Sequence, residues 1–170
     1  MKEQEIRLPN GYIVRCRPVP PFVYIRIAAK YREPPPPMVE VKSVAGHTER
    51  VVAAEGSEEW AKWREEVLRI EQEREAAREA FAIDYGVIAW KREGEEEWQT
   101  EPPDDWEFPE ILKAYGLEPA PRKRVDYIRL EVLADPESAA RVMTVIYGGA
   151  SPLTEEEVGA AEDLFRPPAD

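Results

Sequence analysis

The sequence has little of what most enzymes use for chemistry. It contains one cysteine, Cys16, and one histidine, His47, among 170 residues. One cysteine excludes an internal disulfide and is typical of a cytosolic protein, and a lone histidine excludes the common zinc spacings. Cys16 occupies an alternating apolar position and is predicted to be a small buried side chain. His47 falls in a predicted turn, where we expect a solvated side chain.

The recognised motifs of catalysis and cofactor binding are absent as well. The sequence has no G-x-S-x-G elbow, no Walker A loop and no G-x-G-x-x-G fingerprint. The acidic runs at 95–97 and 104–105 lack the alternating spacing that wraps calcium. Gly148 and Gly149 follow a predicted helix, which indicates a helix end instead of a phosphate loop. We therefore predict no catalytic residue, no metal ligand and no cofactor, and hence a protein that is not an enzyme.

Long apolar runs and an excess of positive charge are also missing. No stretch is long and apolar enough to span a bilayer, and the N-terminus does not read as a signal peptide. The 35 acidic residues outnumber the 23 basic ones, which gives a net charge of −12. Such a chain repels nucleic acid and anionic membranes, so neither is an expected partner. Asn10 is the only asparagine and there are 17 prolines, a pattern typical of a thermophile or of a GC-rich genome.

What is present is one long amphipathic helix, predicted from Ser57 to about Tyr85. Ser57 is a suitable N-cap and Gly86 a suitable end, and the helix would be about 40 Å long at about 1.5 Å per residue. Spacings of three and four place a set of apolar side chains on one face. These are Trp60, Trp63, Val67 and Ile70, followed after an interruption at Arg74 by Ala77 and Phe81. We call this set the apolar stripe.

The apolar stripe has two interpretations. In the first, it packs on the protein's own shorter helices. In the second, part of it binds another protein, and the candidate partner-binding residues are Trp60, Trp63, Val67, Ile70 and Phe81. Ion pairs one turn apart, Glu58 with Lys62, Glu65 with Arg69 and Glu71 with Arg74, are predicted to support the charged remainder of the helix.

The region before this helix predicts β-hairpins. Asn10-Gly11 between two alternating runs indicates a hairpin with a type I′ turn, and 38–54 indicates a second hairpin that turns near Ala45-Gly46. Between them, 22–31 favours a helix over a strand, and Pro34–Pro37 form a rigid polyproline spacer.

The region after the long helix predicts shorter helices. Val87 to Trp90 extends an apolar patch, and an irregular acidic connection follows in which Trp98 and Trp106 anchor the chain to the body. Helices are predicted at 109–116, at 125–133 (with a strand as the alternative), after Asp135, and after Thr154. The expected fold is α+β and mainly α-helical: a long central amphipathic helix, shorter C-terminal helices and one or two N-terminal hairpins. We expect a hairpin region with a proline-rich spacer at 1–56 and a helical body at 57–170, together forming one domain.

The order of these segments resembles the tail assembly chaperone-like proteins of siphophages and prophages. The resemblance is carried by RPVPPF at 17–22, PPPPMVEV at 34–41, the Trp- and Glu-rich helix running into AFAIDYGV, and VDYIRLEVLADPES with the helices after it. It spans most of the chain, although the connection at 94–109 has no counterpart in the group. It implies a non-enzymatic protein that keeps the long tape measure protein soluble and helps tail-tube subunits assemble around it.

The resemblance also sets expectations for partners and location. The implied partner is a helical phage tail protein, with self-association as a second expectation, and the implied place is the host cytoplasm or the virion. Two alternatives stay open: a structural component of the tail or capsid, and an acidic helical interaction module. An uncharacterised enzyme would require a concave pocket with perturbed titrating groups.

Overall fold

The computed structural model describes residues 3–148. The strands are β1 (Gln4–Arg7), β2 (Tyr12–Cys16), β3 (Met38–Lys42), β4 (Thr48–Val52) and β5 (Val87–Arg92). The helices are α1 (Pro21–Lys30), α2 (Glu58–Gly86), α3 (Glu110–Ala114), α4 (Lys123–Tyr127) and α5 (Pro136–Ile146), and a π-helical turn at Ile128–Val132 extends α4. With 45% helix and 18% strand, the predicted α+β, mainly α-helical class is confirmed. The helix predicted after Thr154 lies outside the described residues.

The chain divides into two compact units. The second unit is Arg26–Ala77, and the first unit combines the chain on either side of it, of which 3–25 and 78–148 are described. This division differs from the expected one at residues 56 and 57. The reason is strand pairing between distant parts of the chain, because β2 pairs with β5 and so joins the segments before and after the second unit into one compact unit.

The first unit contains a three-stranded antiparallel sheet in the order β1-β2-β5. Val14 of β2 faces Ile6 of β1 on one side and Trp90 of β5 on the other. The strand β5 is a correction to the sequence analysis, which interpreted this segment only as part of an apolar patch. It follows α2 without a loop, so no turn residue separates helix from strand in the sequence.

Both hairpins use the same three-residue loop. In the first, Leu8 N donates to Tyr12 O (2.8 Å) and Gly11 N donates to Leu8 O (3.1 Å). Gly11 has φ +86°, and every non-glycine residue described has negative φ, so the predicted type I′ turn is wrong. Such a turn needs positive φ at Asn10 too, whereas here a turn with Pro9 at its second position is followed by one left-handed glycine. The second hairpin, which was also predicted, repeats the pattern with Gly46 at φ +82°.

The core of the first unit lies between the sheet and the helices α4 and α5. Trp90 is fully buried, and its ring lies 5.6 Å from that of Tyr127. The predicted burial of Cys16 is confirmed, since its side chain has no exposed area. The core is formed mainly by Val14, Cys16, Val87, Trp90, Ile128, Val132, Val142 and Ile146.

The predicted limits of the long helix are confirmed. The backbone N–H of Trp60 donates to Ser57 Oγ (3.2 Å), as an N-cap requires, and the helix ends at Gly86. Lys62 and Glu58 form the predicted ion pair at 2.7 Å. Arg69 contacts Glu66 and Glu73 instead of the predicted Glu65, because either neighbour on the same face lies within its reach.

The predicted shorter helices are also present where they can be checked. The segments 22–31 and 125–133 are helical, as favoured, and the second changes to π-helical geometry after Tyr127. Asp135 caps α5 by accepting a hydrogen bond from Ser138 N (2.8 Å). Trp106 anchors the irregular connection as expected: its ring is nearly perpendicular to that of Tyr127, with centroids 5.4 Å apart, and its indole N–H donates to Glu131 (3.0 Å).

Candidate protein-binding surface

The apolar stripe of α2 is divided between the two units. Trp60, Trp63, Val67 and Ile70 belong to the second unit, whereas Phe81 belongs to the first. There Phe81 stacks on Tyr85, with ring centroids 5.6 Å apart, and packs against the buried core. Phe81 is therefore part of the packing of the first unit, and the structure does not bring it together with the tryptophans.

The two tryptophans form a pair that is fixed on one side. Their ring centroids are 4.7 Å apart with the planes tilted by 46°. The indole N–H of Trp63 donates to the carbonyl oxygen of Pro34 (2.9 Å). Arg74, which interrupts the stripe, contacts Glu33 at 3.4 Å. The proline-rich segment thus packs beside α2 within the second unit and satisfies the one polar atom of Trp63.

Burial in the second unit is unusually low. Of the 52 residues from Arg26 to Ala77, only Ala53 and Val67 are buried. Trp60, Trp63 and Ile70 surround Val67 in the stripe and are half-buried. The burial of large apolar side chains is the main stabilising term in folding. Because this unit buries its apolar side chains incompletely, it gains only part of that stabilisation.

The ribbon β3–β4 is the other half of the second unit. Among the described residues these two strands pair only with each other, with Val39 facing Val51 and Glu40 facing Arg50. A two-stranded ribbon is marginally stable by itself. Several of its apolar side chains are exposed by more than a third: Met38 47%, Val41 42%, Val44 111%, Val51 37% and Val52 51%.

The charged side of α2 keeps this region hydrated. Arg69 lies between Glu66 and Glu73, and its hydrogen bond lowers the pKa of the Glu66 carboxyl. These pairs are exposed, so they are weak contributors to stability. Their effect is to place charge on the same helix as the half-buried tryptophans, as the polar residues of an interface rim accompany its apolar centre.

The first unit contains a shallow depression of about 270 Å³ beside Asp84. Arg124 lies beneath it and is almost fully buried. Its donors bind the carbonyl oxygens of Thr100 (2.7 Å), Asp84 (2.8 Å), Val87 (2.6 Å) and Ile88 (3.2 Å). Because its guanidinium donors are used by these backbone oxygens, Arg124 fixes the junction of α2 and β5 and is not presented to a ligand.

The sole cysteine and the sole histidine lie in different units, Cys16 in the first and His47 in the second. Burial raises the pKa of the Cys16 thiol to about 11, which keeps it protonated and unreactive at neutral pH. His47 is exposed in the second hairpin turn, as expected. Within 3–148, no group of three His, Cys, Asp or Glu side chains is placed to hold a metal ion.

Sequence reasoning missed the β3–β4 ribbon as a candidate surface. The available signal was the alternation of Val39 and Val41 in a hairpin with no third apolar strand beside it in sequence. Within residues 3–148, no helix has the length and apolarity to cross a bilayer.

Comparisons with known proteins give no independent indication of function. No protein-family model, no curated protein and no solved structure matches this chain. The candidate surface therefore rests on the geometry of the second unit.

Proposed function

We propose that this chain is a non-enzymatic protein of a phage tail module that binds another protein through its second unit. Within that class, we propose the role of a tail assembly chaperone, whose client is the long helical tape measure protein. The observation that supports binding is the half-buried state of Trp60, Trp63 and Ile70 around the buried Val67. A protein partner that covers these side chains supplies the apolar contacts that the unit lacks.

A helical client fits this surface. An amphipathic helix binds by inserting apolar side chains at intervals of one turn into a complementary apolar strip. Trp60, Trp63, Val67 and Ile70 follow that interval on α2. The net charge of −12 and the ion pairs of α2 keep the chain soluble while apolar groups are exposed, which a chaperone for an aggregation-prone client requires.

The test is co-expression with the tape measure protein from the same genome. We expect the wild-type chain to raise the soluble yield of the client. Trp60→Glu and Ile70→Glu, each on the stripe, should remove most of this gain, because they place a charge in the interface. Circular dichroism of each purified variant shows whether its fold is retained.

The matched control is Leu68→Glu. Leu68 lies on the same helix, is 47% exposed and points away from the stripe by about a third of a turn. It should leave the client's solubility unchanged. An equal loss in all three variants, or no effect of the wild-type chain, would contradict the proposal. Recovery of the chain in purified particles would instead support a structural virion component.

A further inference from the structure

We infer that two copies of this chain pair through the free edge of β3, in an antiparallel register centred on Val41. The product is a four-stranded sheet in the order β4-β3-β3-β4. This inference concerns the chain alone and does not depend on the identity of any client.

Among residues 3–148, no partner bonds to the backbone groups on the outward edge of β3. Ser43 N donates to His47 O and Ala53 N donates to Pro37 O, both at 2.8 Å, so the backbone groups of residues 43 and 37 point toward β4. In an antiparallel pair the bonding direction alternates along the strand. The N–H and C=O groups of Met38, Glu40 and Lys42 therefore point to the open side, where they can bond to another strand.

When the edge of β3 pairs with the same edge of a second copy, the charged side chains favour one register. Pairing centred on Val41 places Glu40 of each copy opposite Lys42 of the second copy, and by symmetry the pair occurs twice. Both side chains are exposed. On the same face Glu40 already lies opposite Arg50, so charges alternate across the sheet. Opposite charges at facing positions stabilise strand pairing, and like charges oppose it.

Apolar contacts agree with the same register. Val41, which is 42% exposed, would meet Val41 of the second copy at the symmetry axis. Three residues from Val41, Met38 at the start of β3 approaches Val44 of the second copy, which lies in the turn after β3. Both side chains are exposed, at 47% and 111%. The dimer thus covers side chains that the single copy leaves in water.

The neighbouring registers are worse. A centre on Glu40 places the two Glu40 carboxylates opposite each other. A centre on Val39 requires a backbone donor from Pro36, which has none. At the edge of β4, a centre on Arg50 opposes two guanidinium groups and a centre on Glu49 opposes two carboxylates. These alternatives leave the register centred on Val41 as the one that pairs opposite charges.

The decisive experiment exchanges the charges in separate copies of the full-length chain. Glu40→Lys gives an edge with two positive charges, and Lys42→Glu gives an edge with two negative charges. Sedimentation equilibrium should show a wild-type dimer and a dissociation constant raised at least about tenfold in each variant. An equimolar mixture of the two variants should form a heterodimer of about wild-type affinity, because every facing pair is again of opposite sign.

A proline pair supplies a control that does not use charge. Glu40→Pro removes a backbone donor that points to the open side of β3, so it should block the dimer while leaving the ribbon's own hydrogen bonds in place. Arg50→Pro makes the same change on the open side of β4 and should leave the dimer intact. Circular dichroism checks that both variants keep the wild-type fold.

Three results would overturn the inference: a monomeric wild-type chain, a mixture of charge variants that does not associate, or equal dissociation in both proline variants. Each is read on the chain without a client. If no dimer forms, the test of client binding is still open. If the client test fails, the evidence for the dimer is unaffected.

Discussion

Gly86, the last residue of α2, lies directly against Ile146, the last residue of α5. A methyl group on Gly86 would come within 2.6 Å of Ile146 Cγ1 and 2.8 Å of its Cδ1. Ile146 is fully buried, so it has no open space into which to move. The glycine at the end of the long helix is thus required by close packing between two helices.

This contact predicts that Gly86→Ala destabilises the protein by about 1–3 kcal/mol, the usual cost of overpacking a core. The measurement is urea unfolding followed by circular dichroism. The control is the same substitution in an Ile146→Ala background, where the space exists and Gly86→Ala should cost little. Equal losses in the two backgrounds would show that packing against Ile146 is not the cause.

Arg124 and Arg122 both contact the Asp84 carboxylate. We expect their substitutions to have very different effects on stability. Arg124 is buried and holds four backbone carbonyl groups, whereas Arg122 is exposed and pairs with Asp84 at 2.6 Å. We expect Arg124→Met to destabilise the first unit by at least about 3 kcal/mol, since buried carbonyl oxygens lose their donors. Arg122→Met should cost less than about 1 kcal/mol. Thermal unfolding of both variants checks this, and similar losses would refute the structural role of Arg124.

The helical elements were the predictable part of this fold, because their signals are local. Ser57 caps α2 and Asp135 caps α5 with side chains that lie within a few residues of the groups they bind. The strand β5 had no such signal, since it follows α2 without a turn. Its partner β2 lies more than sixty residues earlier in the chain. Pairing over that distance is decided by packing, which a local pattern does not contain.

The candidate surface was predictable in part for the same reason. The spacing of Trp60, Trp63 and Ile70 on one helical face could be read from the sequence. That Pro34 would accept the hydrogen bond of Trp63, and that Phe81 would join another unit, could not. The role of Arg124 was equally hidden, because the carbonyl groups it binds lie 24 to 40 residues away.

Because the Cys16 thiol is buried, we expect the protein to lose stability in alkaline solution. Burial raises the pKa of its thiol from 9.0 to about 11, so the unfolded chain ionises first as the pH rises. Below about pH 9 the thiol is neutral in both states and this contribution to stability is fully present. It is lost between about pH 9 and 11, where the free energy of unfolding should fall.

The measurement is urea unfolding of the wild-type chain and of Cys16→Ala across that pH range. The difference between the two curves should shrink as the pH rises, because the variant lacks the titrating group. Thiol-reactive reagents at neutral pH should also fail to modify the folded wild-type chain. A constant difference between the curves, together with rapid modification, would show an exposed thiol.

The hydrogen bond from Trp63 to Pro34 predicts a local effect in the second unit. Trp63→Phe keeps an aromatic ring but removes the donor, so we expect a loss of about 1 kcal/mol. Faster amide exchange should appear around 30–33 and 58–70, since 34–37 are prolines without an amide hydrogen. Trp60→Phe is the matched control because it leaves that donor in place. Faster exchange spread evenly over the first unit would contradict a local role.

We propose that a protein partner covers the half-buried part of the apolar stripe, which belongs to the second unit. Hydrogen–deuterium exchange of the full-length chain, alone and in complex with the tape measure protein, tests this most directly. We expect slower exchange on binding within 58–72 of α2, with little change at 87–92 and 123–146. Protection confined to those first-unit segments, or a stable complex without protection of 58–72, would contradict it.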